Sequence, residues 1–147
     1  MNPSNQSEQE RLVVFFYGLF MDSDILLSSG VQPLNPCLAW VDDFALRIGD
    51  RATLVKLDDS RAYGILYSLT SDDLNRLYGQ PGLEDYRAET VSARILSQND
   101  DGSKLDAVCY NLPQGAEPKG KNIEYAEKLQ RVLIKYQFPR AYIDSIG

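Results

Sequence analysis

The chain has 147 residues, with 21 acidic and 15 basic side chains, a formal net charge of −6 and no histidine. Without an imidazole it cannot form a Ser-His-Asp triad, a Cys-His dyad or a His-ligated metal site. The acidic balance and the lack of a Lys/Arg cluster argue against a nucleic-acid or anionic-membrane partner. Any catalysis must therefore depend on carboxylates, tyrosine, lysine, hydroxyl groups or backbone amides.

The length favours a single domain with one core. We predict a disordered polar tail over residues 1–10 and one domain over residues 11–147. The apolar run over residues 12–21 is expected to be neither a signal peptide nor a membrane span, because no positively charged segment precedes it and it is too short. We therefore expect a cytoplasmic protein. Cys37 and Cys109 lie far apart without a Cys-x-x-Cys motif, which predicts two buried reduced thiols and no metal site.

The first half of the chain is predicted to be mostly strand. Residues 12–17 are β-branched and aromatic without alternation, a pattern typical of a strand in the middle of a sheet. A helical turn around residues 25–27 is expected to stop at Gly30. Three further strands are predicted, over residues 38–48, 53–57 and 62–69. The first is interrupted near residues 42–43, and a hairpin at residues 58–60 joins the other two.

The second half mixes helices and strands. Thr70 or Ser71 is predicted to cap a helix whose first turn carries two aspartates and which ends at Gly79. Two more strands, joined by a polar turn, are predicted over residues 86–96 and 105–112. A helix with a 3.6-residue apolar stripe is predicted over residues 125–136. Together these elements predict an α+β domain, a small mixed β-barrel wrapped by short helices.

Three positions have residue types that suit a functional site. Gly18, at the end of a buried strand, allows consecutive backbone amides to turn toward one anion or oxyanion, although strands also end in glycine for ordinary turns. Glu84, in a glycine-rich turn, is either a general base with a raised pKa or a solvated surface acid. Tyr125, on the apolar stripe of the last helix, is either a core residue or part of a site.

These positions also carry a resemblance to a known family. The similarity rests on five segments in the same order, namely Tyr17-Gly18, residues 43–48, residues 62–69, residues 71–77 leading to Tyr86, and Tyr125 followed by Pro139. In this order they resemble the gamma-glutamylcyclotransferase-like proteins, also called the AIG2-like family. The resemblance implies a small barrel that receives a gamma-glutamyl amine and needs no cofactor. The product is 5-oxoproline, formed when the substrate's own α-amino group attacks its γ-carbonyl.

In that reaction one carboxylate moves the proton to the leaving amine, and amides after the first strand hold the substrate. The family's catalytic glutamate closes a Leu-Asp-x-x-Glu-Gly turn. Placing that turn on residues 77–82 puts Pro81 at the position of the glutamate, and proline offers no proton acceptor. Leu19 and Phe20 also replace polar residues of the first loop, which removes side-chain hydrogen bonds.

Two main hypotheses follow. In the first, the protein is an active cyclotransferase in which Glu84 is the catalytic carboxylate. In the second, it is a non-catalytic member of the family that binds a small, more apolar ligand. Both predict a small-molecule partner, and the predicted substrate-binding residues are Tyr17, Gly18, Leu19, Phe20, Tyr86 and Tyr125. The last four of these line the cavity in the second hypothesis. A third hypothesis is an interaction domain that contacts a protein through residues 113–121. The oligomeric state is left open.

Overall fold

The computed structural model describes residues 11–96, 103–113, 115 and 118–146. The described part contains five strands, β1 Arg11–Phe16, β2 Leu34–Ile48, β3 Ala52–Thr70, β4 Arg87–Ile95 and β5 Lys104–Asn111. It also contains four helices, α1 Ser23–Ser28, α2 Ser71–Tyr78, α3 Ile123–Lys135 and α4 Arg140–Asp144. A single 3-10 turn, Leu19–Met21, follows β1.

The strands form a closed barrel in the order β1-β3-β2-β4-β5. Strand β1 runs antiparallel to β3 along its whole length and parallel to β5, where Val14 pairs with Val108. The other neighbours pair antiparallel. The barrel is therefore mixed, and β1 has a partner on each side, as its continuous apolar sequence predicts. The predicted α+β class, a mixed barrel with short helices, is confirmed.

Two buried clusters share the strands of the barrel. The inner cluster takes residues from all five strands and combines several alanines with larger side chains such as Leu66, because a narrow barrel leaves room for few large ones. The outer cluster joins the other face of the sheet to the helices, with Leu129 and Leu133 of α3 fully buried. In β1 the side chains alternate, so Phe15 belongs to the inner cluster and Phe16 to the outer one.

The helix signals in the sequence are confirmed. The Thr70 side chain accepts a hydrogen bond from the Asp73 amide at 3.1 Å and caps α2. The Asp22 side chain caps α1 in the same way, and Asn122 caps α3. The apolar stripe of α3 is buried as its periodicity predicts. Helix α4, which follows Pro139, was not predicted because its five residues are too few to show a period.

The predicted hairpin at residues 58–60 is wrong. Strand β3 continues through this segment, and β2 and β3 shift register opposite it, between Asp42 and Phe44. Asp43 and Asp59 both have positive φ, 65° and 64°, and the Asp59 amide donates to Asp43 Oδ1 at 3.0 Å. The two strands thus bulge together and neither reverses. The chain reverses instead at residues 49–51, where the Gly49 amide bonds to the Arg51 carbonyl at 2.8 Å.

Other predictions concern the cysteines, membrane spans, metal sites and the chain segments outside the barrel. Both cysteines are free, with Cys109 buried and Cys37 partly buried. Within the described ranges, no helix is long and apolar enough to cross a membrane. The same residues contain no cluster of three or more His, Cys, Asp or Glu side chains that could hold a metal ion. The predicted tail over residues 1–10, the turn at 98–102 and part of the 113–121 loop lie outside the described residues.

Candidate ligand-binding cavity

A cavity of about 360 Å³ opens where β1 ends. Its lining combines the end of β1 and the turn after it, the end of α2 and the loop after it, the β2–β3 turn, and one residue of α3. The lining residues are Phe15, Phe16, Tyr17, Gly18, Leu19, Phe20, Asp50, Arg51, Ala52, Tyr78, Pro81, Gly82, Leu83, Tyr86 and Tyr125. All six residues predicted to contact a ligand are in this set, so the fold brings them together around one space. Whether they bind a substrate stays a prediction.

The turn after β1 is tied to helix α3 through Tyr125. The Leu19 amide donates to the Tyr125 hydroxyl at 3.2 Å. A Cβ atom at Gly18 would overlap the same hydroxyl oxygen, so any larger residue at this position requires the Tyr125 side chain to shift. Burial raises the pKa of Tyr125 to about 12, so the hydroxyl remains neutral. One of the amides predicted to bind an anion therefore already has a neutral partner within the protein.

Four tyrosines line the cavity, and three of their hydroxyls are engaged. The Tyr17 hydroxyl donates to the Tyr110 carbonyl at 2.7 Å, the Tyr86 hydroxyl donates to the Ala52 carbonyl, and the Tyr125 hydroxyl accepts from the Leu19 amide. The hydroxyl of the fourth, Tyr78, has no hydrogen-bond partner among the described residues. Burial raises the pKa of each of the four, so the cavity contains neutral phenols.

The ring of Tyr78 is held between two other rings. It stacks on Tyr110 of β5 with a centroid distance of 3.8 Å and an interplanar angle of 11°. Phe20 meets it edge-on at 5.9 Å and 87°. Sequence reasoning did not single out Tyr78. A signal was present, because the Leu-Asp-x-x-Glu-Gly motif also fits residues 74–79, with Asn75 in place of the aspartate and Tyr78 in place of the glutamate. Either placement leaves that position without a carboxylate.

Acidic side chains lie at the edge of the cavity. Glu84 is exposed, and its Oε1 accepts from the Gly82 amide at 3.0 Å; it is not one of the lining residues. The neighbouring Asp85 pairs with Arg51 at 2.9 Å. Asp50 does line the cavity, and its Oδ1 accepts from the Lys119 amide at 2.8 Å. That hydrogen bond lowers the pKa of Asp50. Sequence reasoning left residues 49–52 as a connection between two predicted strands and did not single out Asp50 or Arg51.

The fold and the cavity place the chain in the class of small α+β domains built on a closed mixed barrel. The model of one protein family, described as gamma-glutamyl cyclotransferase, AIG2-like, matches residues 14–130. The chain belongs to this family, and the resemblance seen in its sequence is confirmed.

Solved structures support the same fold. An uncharacterized human protein aligns with a TM-score of 0.70 and 17% identity, over 94% of this chain and 89% of that one. A gamma-glutamyl cyclotransferase gives a TM-score of 0.68 and 16% identity over the same shares. A gamma-glutamyl cyclotransferase specific to glutathione, from yeast, gives 0.64 and 15%, over 92% of this chain and 93% of its own. The search of curated proteins gave no significant match.

Proposed function

We propose that the protein binds a small, largely apolar molecule in the barrel cavity and does not carry out the cyclotransferase reaction. The observation that carries the proposal is the chemistry of the lining. Asp50 is the one carboxylate among the described lining residues, and it stands beside Arg51 with one oxygen held by the Lys119 amide. The rest of the lining is formed by aromatic and aliphatic side chains, backbone and neutral phenols.

A gamma-glutamyl amine fits this lining poorly on energetic grounds. At neutral pH such a molecule carries an α-ammonium and an α-carboxylate, and removing an unpaired charge from water costs several kcal/mol. Phe15, Phe16 and Phe20 offer no compensating hydrogen bonds to either charge. An apolar ligand instead gains binding free energy, because burying about 100 Å² of apolar surface contributes about 2.5 kcal/mol.

The chemistry of cyclisation also lacks a suitable base inside the cavity. A base must take a proton from the substrate ammonium and return it to the leaving amine, which requires a pKa near the working pH. The pKa values of the buried tyrosines are raised, so these groups are neutral and do not act as bases at neutral pH. The pKa of Asp50 is lowered, which makes its carboxylate a weak base.

Active cyclotransferase chemistry is the second candidate function. Family membership favours it, and so does the position of Asp50 on the cavity lining. In this alternative Glu84 is the proposed catalytic carboxylate, as the sequence suggested. Its side chain would have to leave the Gly82 amide and turn inward.

Release of 5-oxoproline separates the two candidates. The wild type would be incubated with gamma-glutamyl-alanine, gamma-glutamyl-lysine and glutathione, beside Glu84→Gln and Asp50→Asn. We expect no release above buffer from any of the three proteins. Turnover that falls at least a hundredfold in Glu84→Gln would overturn the proposal and establish Glu84 as the base. Turnover lost only in Asp50→Asn would assign the role to Asp50.

Binding is measured independently of turnover. A ligand that binds only the native state at a hundred times its Kd raises the free energy of unfolding by about 2.7 kcal/mol. We expect thermal stabilisation by small aromatic or aliphatic compounds and none by gamma-glutamyl-alanine. The matched control is a Leu83→Trp variant, in which a larger side chain at a half-buried position of the lining takes up cavity space and should reduce the stabilisation. Stabilisation by the gamma-glutamyl compound alone would contradict the proposed ligand class.

A further inference from the structure

We propose that the Tyr78 hydroxyl is the polar anchor of the cavity, and that the ligand presents an uncharged hydrogen-bonding group to it. The ligand class is then a mostly apolar molecule that bears a hydroxyl, carbonyl or amide group. This inference rests on the proposed function, because it specifies the ligand of the same cavity.

The argument starts from the hydrogen bonds of the cavity tyrosines. Tyr17, Tyr86 and Tyr125 use their hydroxyls to hold the backbone of the protein, so these three groups serve the fold. Tyr78 forms no such bond in the described part of the chain. Its oxygen is also not among the enclosed side-chain atoms that lack a partner, which are Trp40 Nε1 and the Tyr142 hydroxyl. The Tyr78 oxygen therefore reaches the open space of the cavity.

A polar group left without a partner in an apolar space is costly. Desolvating an unpaired hydroxyl costs about 1–3 kcal/mol, and nearly all buried polar groups in proteins find a partner. Because no described residue supplies that partner, we assign the role to a water molecule or a bound molecule in the cavity. A ligand group that replaces such a water keeps the hydrogen bond and adds apolar contact with Phe20 and Leu83.

The position of the hydroxyl is fixed before any ligand arrives. Tyr78 is the last residue of α2, and its ring lies flat against Tyr110 with Phe20 across its edge. Tyr86 adds a third ring at a centroid distance of 6.2 Å. A side chain held on several sides loses little conformational entropy when it binds, so its hydrogen bond is directional and selective.

The charge of the partner group follows from the neighbours of Tyr78. The titratable groups that act electrostatically on the Tyr78 hydroxyl are Cys109, Tyr110, Tyr86 and Tyr125; burial raises the pKa of each, so all four are neutral. Burial raises the pKa of Tyr78 as well, so its hydroxyl is an uncharged donor and acceptor. Neither a carboxylate nor an ammonium on the ligand would find a counter-charge there. The charged lining residues Asp50 and Arg51 belong to the β2–β3 turn, and Arg51 pairs with Asp85.

Two nearly isosteric probes test the anchor. 2-Naphthol and 2-methylnaphthalene differ in a hydroxyl and a methyl group, and their binding can be followed by naphthalene fluorescence. The proteins are the wild type, Tyr78→Phe, and the matched control Tyr136→Phe, whose hydroxyl lies outside the cavity and contacts Ser23. We expect Tyr78→Phe to weaken 2-naphthol binding three- to tenfold without weakening 2-methylnaphthalene binding. Tyr136→Phe should change neither.

The outcomes separate the anchor from the cavity's general function. If Tyr78→Phe weakens both probes equally, or neither, the anchor is refuted while apolar binding in the cavity stands. If neither probe binds the wild type up to its solubility limit, the proposed function fails and the anchor fails with it. Tyr78→Phe removes one oxygen that no group in the described ranges uses, so the thermal unfolding of this variant should match the wild type. A fall in its Tm of more than a few degrees would show a structural role for the hydroxyl and overturn the inference.

Discussion

The close approach of Gly18 to Tyr125 can be tested with a double-mutant cycle. Gly18 has φ −112° and ψ −152°, an extended conformation that alanine also adopts, so Gly18→Ala introduces no backbone strain. The added Cβ would instead overlap the Tyr125 hydroxyl. Forcing such an atom into a packed site costs about 1–3 kcal/mol. Tyr125→Phe removes the hydrogen bond from the Leu19 amide, which costs about 0.5–1.5 kcal/mol.

The two substitutions should compensate each other. In Gly18→Ala/Tyr125→Phe the obstructing oxygen is gone, and the next ring atom, Tyr125 Cζ, lies 3.8 Å from the Cβ position, an ordinary contact. Most of the overpacking cost then disappears. The loss of unfolding free energy in the double variant should therefore be about 1–2 kcal/mol smaller than the sum of the losses in the two single variants. Independent sites add to within about 0.5 kcal/mol, so a coupling of this size is measurable.

Urea unfolding of the four proteins, followed by circular dichroism, gives the coupling, provided that the m value stays constant. A matched control is Gly82→Ala combined with Tyr125→Phe. Gly82 has φ +92° and no atom within 4 Å of its Cβ position, so its cost is one of backbone strain and should simply add. If the Gly18 pair also adds to within about 0.5 kcal/mol, the Tyr125 hydroxyl does not press on Gly18 and the account of this turn is refuted.

Three further predictions follow from burial and titration. Leu129→Ala, at a fully buried position of α3, should lower the free energy of unfolding by about 2–5 kcal/mol in urea, whereas Ile134→Ala on the exposed face should change it little. Burial raises the pKa of Cys109, so a thiol reagent at pH 8 should label it only on unfolding, and native labelling faster than that of Cys37 would contradict this. The hydrogen bond from the Lys119 amide lowers the pKa of Asp50 from 3.8, so the stabilising effect of Asp50 relative to Asp50→Ala should be constant above about pH 5 and decrease as the pH falls through its folded pKa; a difference between the two proteins that does not change with pH would argue against the bond to Lys119.

The sequence predicted the elements whose signals are local. A cap such as Thr70 followed by two aspartates specifies a helix start within four residues, and the structure has α2 there. The bulge at Asp59 shows where local signals fail. Aspartate at positive φ occurs in turns and in bulges alike, and the choice here depends on Asp43, which receives the Asp59 amide across the strand pair. No window around residues 58–60 contains that information.

The same reasoning explains what was found and missed in the cavity. Gly18 was identifiable because a glycine ending a buried strand is itself informative, whereas Tyr78 at the end of a helix looks like any core tyrosine. Its exposure to the cavity depends on Tyr110, which belongs to β5 and fixes the ring from outside the helix. Contacts between segments distant in sequence are set by the closure of the barrel, which a single sequence does not specify.

The aromatic lining of the cavity and the absence of a carboxylate at position 78 depend on each other. Phe20, in the first loop, contacts the ring of Tyr78, and Tyr78 stacks on Tyr110, so three separate segments contribute to one aromatic stack. A glutamate at position 78 would enter this stack without a counter-charge, and desolvation would raise its pKa and keep it protonated. A polar side chain at position 20 would in turn lie against a tyrosine ring, which offers it no strong hydrogen-bond partner. Each aromatic residue thus makes the others favourable, and restoring a carboxylate at one position would not by itself restore a polar site.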